Sequence, residues 1–104
     1  MTVIIDLKVH EAIENFYSAA LNLHPALDIA VVEQKKERLY AALKFLQVNP
    51  YIYPLARYKR VWRAKRYREL IAEDFHFAFK IHNDENGNPY VLIYDATHSL
   101  LYHD

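Results

Sequence analysis

The sequence predicts a single α+β domain, spanning residues 1–104, in which a strand is followed by two helices and then by three strands. Apolar residues recur at helical spacing in the first half of the chain, and from Phe75 to Ile81 they alternate at strand spacing. The only glycine follows Asn86 and lies between two strand patterns, which is a hairpin signal. This order favours a helical hairpin packed on one face of a small, mostly antiparallel sheet, with the other face left partly open.

The first half of the chain is expected to form one strand and two helices. The strand is predicted from apolar residues that alternate with polar ones, namely Val3, Ile5, Leu7 and Val9. The first helix is predicted from apolar residues on one helical face, namely Ile13, Phe16, Tyr17, Ala20 and Leu21. His24-Pro25 interrupts it, because the residue before a proline avoids helical backbone angles. Pro25 suits the first turn of a second helix, which is expected to reach about Val48 before Asn49-Pro50 stops it.

The second half of the chain is expected to form a strand meander. A strand of uncertain limits lies within residues 60–72. In the next strand the phenylalanines are expected to face the helices as core, while His76, Lys80 and His82 share the opposite face. Asn86-Gly87 tolerates the positive φ angles of a type I′ turn, and residues 89–94 then return as a buried strand.

Composition limits the class of protein. An apolar fraction of 53% and four prolines argue against disorder. The absence of cysteine excludes a disulfide framework and a thiolate metal site. The chain shows no secretory leader and no apolar run near the ~18 residues of a membrane span, so we expect a cytoplasmic protein. It also carries no P-loop, no dinucleotide-binding glycines, no HExxH and no plausible Ser-His-Asp set.

Charge is strongly segregated along the chain. Seven of the thirteen Lys and Arg residues fall within residues 57–68, and no acidic residue occurs between Glu37 and Glu69. Tyr58, Trp62 and Tyr67 are interleaved with these cations. Such a segment attracts a polyanion or an acidic partner, and its rings offer stacking surface for bases. The alternative is a solvated strand and loop whose long Arg stems cover apolar surface.

Several stretches carry a family resemblance. The helical hairpin ends in LKFLQVNP, the meander contains YRELIAEDFHFAFKIHND, and the last strand reads VLIYDATHSLLY. With the order of elements, these stretches resemble the RelE/ParE superfamily of bacterial toxins from type II toxin–antitoxin operons. The resemblance implies the β-α-α-β-β-β fold and growth inhibition. It also implies a partner, a cognate antitoxin whose acidic amphipathic segment covers the basic face.

The ribosome-dependent branch of that superfamily cleaves mRNA without a metal or other cofactor, through the 2′-hydroxyl next to the scissile phosphate. The resemblance then implies four catalytic residues. His76 and His98 share acid–base work, Arg68 stabilises the phosphorane, and Tyr102 positions a base. Glu69 is the flanking acid, expected either to act as a base or to pair with neighbouring arginines.

The resemblance and the charge pattern also nominate residues for contact with ribosomal RNA or mRNA. These are Arg57, Lys59, Arg60, Arg63, Lys65, Arg66, Lys80 and His103. The chain departs from the family pattern where Ser99 follows His98 in place of arginine, and where His76 replaces a permanent cation. These departures keep a second hypothesis open, a ParE-type inhibitor that binds DNA gyrase or a toxin-like module without catalytic activity.

Overall fold

The computed structural model describes residues 1–103 and confirms the predicted α+β order. The elements are β1 (Thr2–Ile5), α1 (Leu7–Leu23), α2 (Ile29–Lys44), α3 (Arg60–Ala64), β2 (Arg68–Ala72), β3 (Phe75–Asn83) and β4 (Pro89–His98). The sheet has the strand order β1-β4-β3-β2, in which only the β1–β4 pair is parallel. None of the helices in residues 1–103 has the length and the apolar composition that a membrane crossing requires.

The first strand is shorter than the alternating pattern predicts. Asp6 ends it, because the Asp6 carboxylate accepts a hydrogen bond from the backbone N–H of Lys8 (3.0 Å) and so caps α1. Leu7 and Val9 therefore belong to the helix, and their assignment to the strand was wrong. Val9 fits the alternating pattern of a strand and also the apolar face of a helix, because it is fully buried on the inner face of α1.

The second helix begins later than predicted. Pro25 lies in the connecting turn, and α2 begins at Ile29 because the Asp28 carboxylate accepts from the N–H of Ala30 (2.9 Å). Two short 3-10 turns, Phe45–Gln47 and Pro50–Ile52, follow the helix. The helical hairpin is tied together by contacts between its two arms, for example Lys36 Nζ to a Glu14 carboxylate oxygen at 3.0 Å.

The main core lies between the helical hairpin and one face of the sheet. Phe75, Phe77 and Phe79 are fully buried in it, as the strand pattern predicts. The remaining buried members are Val9, Ile13, Tyr17, Val32, Leu39, Leu43, Leu46, Leu70, Val91, Ile93 and Ala96. We call this face of the sheet the helix face.

The β3–β4 turn differs from the prediction in type, and a second hairpin turn joins β2 to β3. In the β3–β4 loop only Gly87 has a positive φ (79°), and the Asp84 carboxylate organises the loop by accepting from the N–H groups of Asn86 and Asn88. The hairpin is confirmed, but the two-residue type I′ turn is not there. Instead, Glu73 and Asp74 join β2 to β3 with φ angles of 49° and 65°, both positive as a type I′ turn requires.

The second face of the sheet, which was expected to be partly open, is partly covered by a short helix that the sequence did not predict. The strand predicted within residues 60–72 is confirmed as β2, and residues 60–64 before it form the short helix α3, whose Trp62 is 1% exposed. Trp62 joins Ala56, Tyr67 and Ala78 in a second, smaller core. We call this side of the sheet the α3 face.

The end of α3 has the hydrogen bonds of a Schellman motif. The N–H of Arg66 donates to Arg63 and the N–H of Tyr67 to Trp62, both at 3.0 Å. Arg66 occupies the left-handed position with φ 59°, where glycine has no Cβ penalty.

We therefore expect Arg66→Gly to raise the free energy of unfolding by about 0.5–1 kcal/mol. Urea denaturation followed by circular dichroism measures this change. A loss of stability of similar size would show that the Arg66 side chain makes contacts that offset its backbone strain.

Candidate functional site

Four side chains form a hydrogen-bonded cluster on the α3 face. Glu69 on β2 and His76 on β3 point to the same side of the sheet, since Ile71 pairs with His76 and Glu69 is two residues away. A Glu69 carboxylate oxygen (Oε2) lies 3.1 Å from His76 Nδ1, and Ser99 Oγ lies 3.1 Å from His76 Nε2. We call Glu69, His76, Ser99 and Tyr102 the His76 cluster.

Tyr102 closes the cluster from the C-terminal turn. Its ring stacks on the imidazole of His76 with centroids 3.8 Å apart and planes 6° from parallel. Its hydroxyl donates to the second Glu69 oxygen (Oε1) at 2.9 Å. The rings of Tyr58 and Trp62 lie on its flanks, each with a centroid 5.8 Å from that of Tyr102. An aromatic wall therefore borders the imidazole.

Burial and Glu69 together keep Tyr102 protonated. Burial, the hydrogen bond to Glu69 and the negative charge of Glu69 raise the pKa of Tyr102 to about 12. At neutral pH this hydroxyl is a proton donor and never a base.

The hydrogen bonds of His76 leave one nitrogen available for proton transfer. Glu69 holds a proton on Nδ1, as a carboxylate partner does for a catalytic imidazole. Nε2 then carries the lone pair in the neutral ring. The Ser99 hydroxyl can donate its single proton either to that lone pair or to the backbone carbonyl of Asp74, 2.8 Å away. When Ser99 bonds Asp74, Nε2 is free to act as a base.

Glu69, His76 and Ser99 are hydrogen-bonded in the order carboxylate, imidazole, hydroxyl, which is the order of a nucleophilic triad. The sequence had shown no plausible triad of this kind. Within residues 1–103, the backbone N–H groups of Ser99 and Leu100 do not form an oxyanion hole, because both are already hydrogen-bonded. The N–H of Ser99 donates to the carbonyl of Asp74 at 2.7 Å, and the N–H of Leu100 donates to the ring of His98 at 3.1 Å. With these donors committed, acyl transfer at Ser99 lacks its main stabilising element.

A cleft opens beside the His76 cluster. It has a volume of about 500 Å³ and is lined by Glu69, Arg57, Tyr58 and Ile71 together with residues 53–56. Arg57 and Tyr58 are exposed at its edge. The cleft therefore offers a cation and an aromatic ring next to the carboxylate that orients His76.

Two of the four predicted catalytic residues lie elsewhere. Arg68 precedes Glu69 on the strand and so points to the helix face, where its Nη1 donates to the carbonyl of Tyr53 at 2.7 Å. His98 pairs with Phe75 and also points to that face, with its ring stacked on Phe16 at 3.7 Å. Burial lowers the pKa of His98. The structure thus brings together His76 and Tyr102, but neither Arg68 nor His98 joins them.

The predicted binding cations follow α3 and its flanks. Arg57, Arg60, Arg63, Lys65, Arg66 and His103 are exposed, while Lys59 and Lys80 are half-buried. Lys59 Nζ lies 5.5 Å from the centroid of the Trp62 ring, so its stem packs on the residue that anchors the helix. The positive charge therefore lies across the sheet from the helical hairpin.

The raised pKa of Tyr102 gives a pH dependence that can be measured. The folded state binds the phenolic proton more tightly than the unfolded state, for which the pKa is 10.0. The stability contributed by this group is therefore complete below pH 10 and is lost as the pH rises through about 12. Urea unfolding between these pH values should show a shallower decline for Tyr102→Phe than for the wild type. Identical slopes would show that folding does not raise the pKa of Tyr102.

Comparison of the chain with known protein families, with curated proteins and with solved structures finds no match.

Proposed function

We propose that this protein is the toxin of a type II toxin–antitoxin pair and that it cleaves ribosome-bound mRNA without a metal. The observation that carries the proposal is the position of His76, oriented by Glu69 and stacked on Tyr102 on the face that bears the cationic segment. Phosphodiester cleavage through a 2′-hydroxyl needs a group that takes and returns a proton and fixed positive charge for the phosphorane, and an oriented imidazole beside a cationic segment can supply both. The family resemblance of the sequence points to the same chemistry.

The proposed reaction uses His76 for proton transfer. Nε2 takes the proton of the 2′-hydroxyl as that oxygen attacks the adjacent phosphorus. The bond from phosphorus to the 5′-oxygen breaks, and the imidazolium returns the proton to that oxygen. The products are a 2′,3′-cyclic phosphate and a 5′-hydroxyl end. Glu69 stabilises the imidazolium in between, as a buried carboxylate does beside a catalytic histidine.

The substrate must first displace Ser99 from His76. Ser99 is exposed in the turn that follows β4, and its hydroxyl already has an alternative acceptor in the Asp74 carbonyl. The exposed Arg57 lines the cleft beside Glu69 and takes the role of neutralising the phosphorane, which was predicted for Arg68.

Expression of the wild type should arrest growth and create new mRNA 5′ ends that carry a hydroxyl. His76→Gln should lower cleavage by roughly 10²–10⁴-fold, the usual contribution of an acid–base residue. His98→Gln is the matched control, because its ring packs against Phe16 on the opposite side of the sheet. It should retain cleavage if its melting temperature is preserved. Intact transcripts during growth arrest by the wild type would refute the endoribonuclease.

A specific observation favours a second candidate, a ParE-type inhibitor of DNA gyrase. Both ring nitrogens of His76 are hydrogen-bonded inside the protein, its side chain is only 13% exposed, and Arg68 is committed to backbone carbonyls. A binding module needs the cationic face but no free imidazole.

The two candidates separate in a supercoiling assay with purified gyrase. A gyrase inhibitor should block supercoiling at micromolar concentration, and His76→Gln should block it equally well. If the wild type leaves supercoiling unchanged at that concentration, the second candidate is excluded.

A further inference from the structure

A second cationic site lies on the α3 face, at the end of β3 far from His76. Two adjoining cavities of about 470 and 380 Å³ share Arg66 and Lys80 in their walls. We call the larger one the Lys80 groove. Its chemistry-bearing lining is Lys65, Arg66, Tyr67, Lys80, His82 and Tyr94. His76 and His82 are six residues apart on one strand, about 20 Å, so the groove is separate from the His76 cluster.

The groove concentrates positive charge without a carboxylate. The Lys80 ammonium reaches the segment after α3, where it donates to the carbonyl of Lys65 at 3.4 Å. Lys65 and Arg66 are exposed beside it. No Asp or Glu lines either cavity within residues 1–103. Like charges that converge in a cleft repel one another and focus a field that draws in an anion.

Arg66 adds a second indication. It occupies the left-handed position that ends α3, with φ 59°, although the Schellman hydrogen bonds use only its backbone. Glycine would satisfy that backbone without strain. The arginine side chain is therefore not required by the fold at this position, and it lies in the wall of both cavities.

Aromatic rings form the remaining wall of the groove. Tyr94 stacks on Tyr67 with centroids 4.9 Å apart and planes 14° from parallel, and its hydroxyl is 2.7 Å from His82 Nε2. Tyr94 and His82 are both half-buried, so part of each ring faces the groove. The hydrogen bond and the stack hold these rings in fixed positions, with the planes of His82 and Tyr94 65° apart, so a base stacked on His82 would meet Tyr94 at its edge.

We propose that the Lys80 groove binds one nucleotide of a single-stranded oligonucleotide, with its phosphate at Lys65, Arg66 and Lys80, its base stacked on His82 and the ring of Tyr94 at the edge of that base. The rings favour a nucleotide over an acidic peptide, which would need the cations alone. The inference deepens the proposed function, on which the choice of RNA as the natural ligand rests. The site would hold the transcript away from the cleavage point and so extend the length of RNA that is recognised.

Binding can be measured without cleavage, by fluorescence anisotropy with an uncleavable 2′-O-methyl oligonucleotide. The double variant Arg66→Gly with Lys80→Ala removes two cations and keeps the turn. It should weaken binding at least tenfold and flatten the salt dependence by roughly 0.7 in log–log slope for each lost phosphate contact. The matched control is Lys8→Ala with Lys44→Ala, which removes two exposed cations from the helices. It should change the dissociation constant less than twofold. Equal losses in the two double variants would overturn the site.

A second variant tests the base. His82→Ala removes one ring and no permanent cation, and it should weaken binding at least about fivefold, the low end for one stacked base. An unchanged affinity would mean that the groove binds the phosphate alone, and it would overturn the proposal that the groove also binds the base. Tighter binding of a polyglutamate peptide than of the oligonucleotide would also overturn it. If a DNA oligonucleotide binds and the RNA does not, RNA is excluded as the ligand. If both bind with equal affinity, the site recognises the phosphate and the base and does not distinguish ribose from deoxyribose.

The outcome is separable from that of the proposed function. If the groove variants lose binding but the wild type cleaves no RNA, the nucleotide site in the groove is supported and the ribonuclease proposal is refuted. If the wild type cleaves RNA but the groove variants bind the oligonucleotide as tightly as the wild type, the ribonuclease proposal is supported and the groove site is refuted.

Discussion

The burial of one indole ring fixes the position of the cationic segment. Trp62 is the only large side chain of α3 that enters the sheet face, and it is 1% exposed against Ala78. Its Nε1–H donates to a carboxylate oxygen of Asp95 at 3.0 Å, which satisfies the polar end of the ring inside the protein. A buried Trp of this kind typically contributes about 3–5 kcal/mol, judged from Trp→Ala changes. That is enough to hold a five-residue helix whose other side chains include two arginines and no buried residue.

The β-bulge beside this ring makes the arrangement possible. The β3–β4 register shifts between Ala78 and Phe79, so that Tyr94 and Asp95 both serve the α3 face. Asp95 receives the indole N–H, and Tyr94 forms the wall of the Lys80 groove. A regular ladder would turn one of them toward the helices. One extra residue therefore supplies both the anchor of α3 and an aromatic wall.

The alternation of side chains along the strands decides which residues can act together. Arg68 and Glu69 are neighbours in sequence but lie on opposite faces, and the same holds for His98 and Ser99. The residues that resembled a family active site were therefore divided between the two sides. What collects on the α3 face is a carboxylate, an imidazole, a hydroxyl and a phenol. These groups are linked by hydrogen bonds and by ring stacking, and Arg57 lies in the cleft beside Glu69.

The parts of the structure that the sequence predicted follow from strong periodicity. The phenylalanine stripe of β3, the interruption at His24-Pro25 and the β3–β4 hairpin each have a steric or hydrophobic cause that acts locally. The missed parts depend on single side chains. Asp6 and Asp28 move helix starts by capping, and α3 has only one buried residue, too few for a pattern.

The contact between Glu69 and His76 was missed for a related reason. It requires a two-residue turn at Glu73-Asp74, where neither residue is glycine. A search for Asn-Gly or Asp-Gly could not find that turn. Once it is known, the antiparallel register places Glu69 diagonally from His76 without further information.

The parallel pairing of β1 with β4 has a consequence for how the chain folds. The three later strands join neighbours in sequence, whereas Thr2 must find Tyr90 across almost the entire polypeptide. Closing that long loop costs about 3 kcal/mol more chain entropy than closing a two-residue hairpin. The meander and its two hairpins are thus suited to nucleate early, and we expect the amino-terminal strand to attach late in folding.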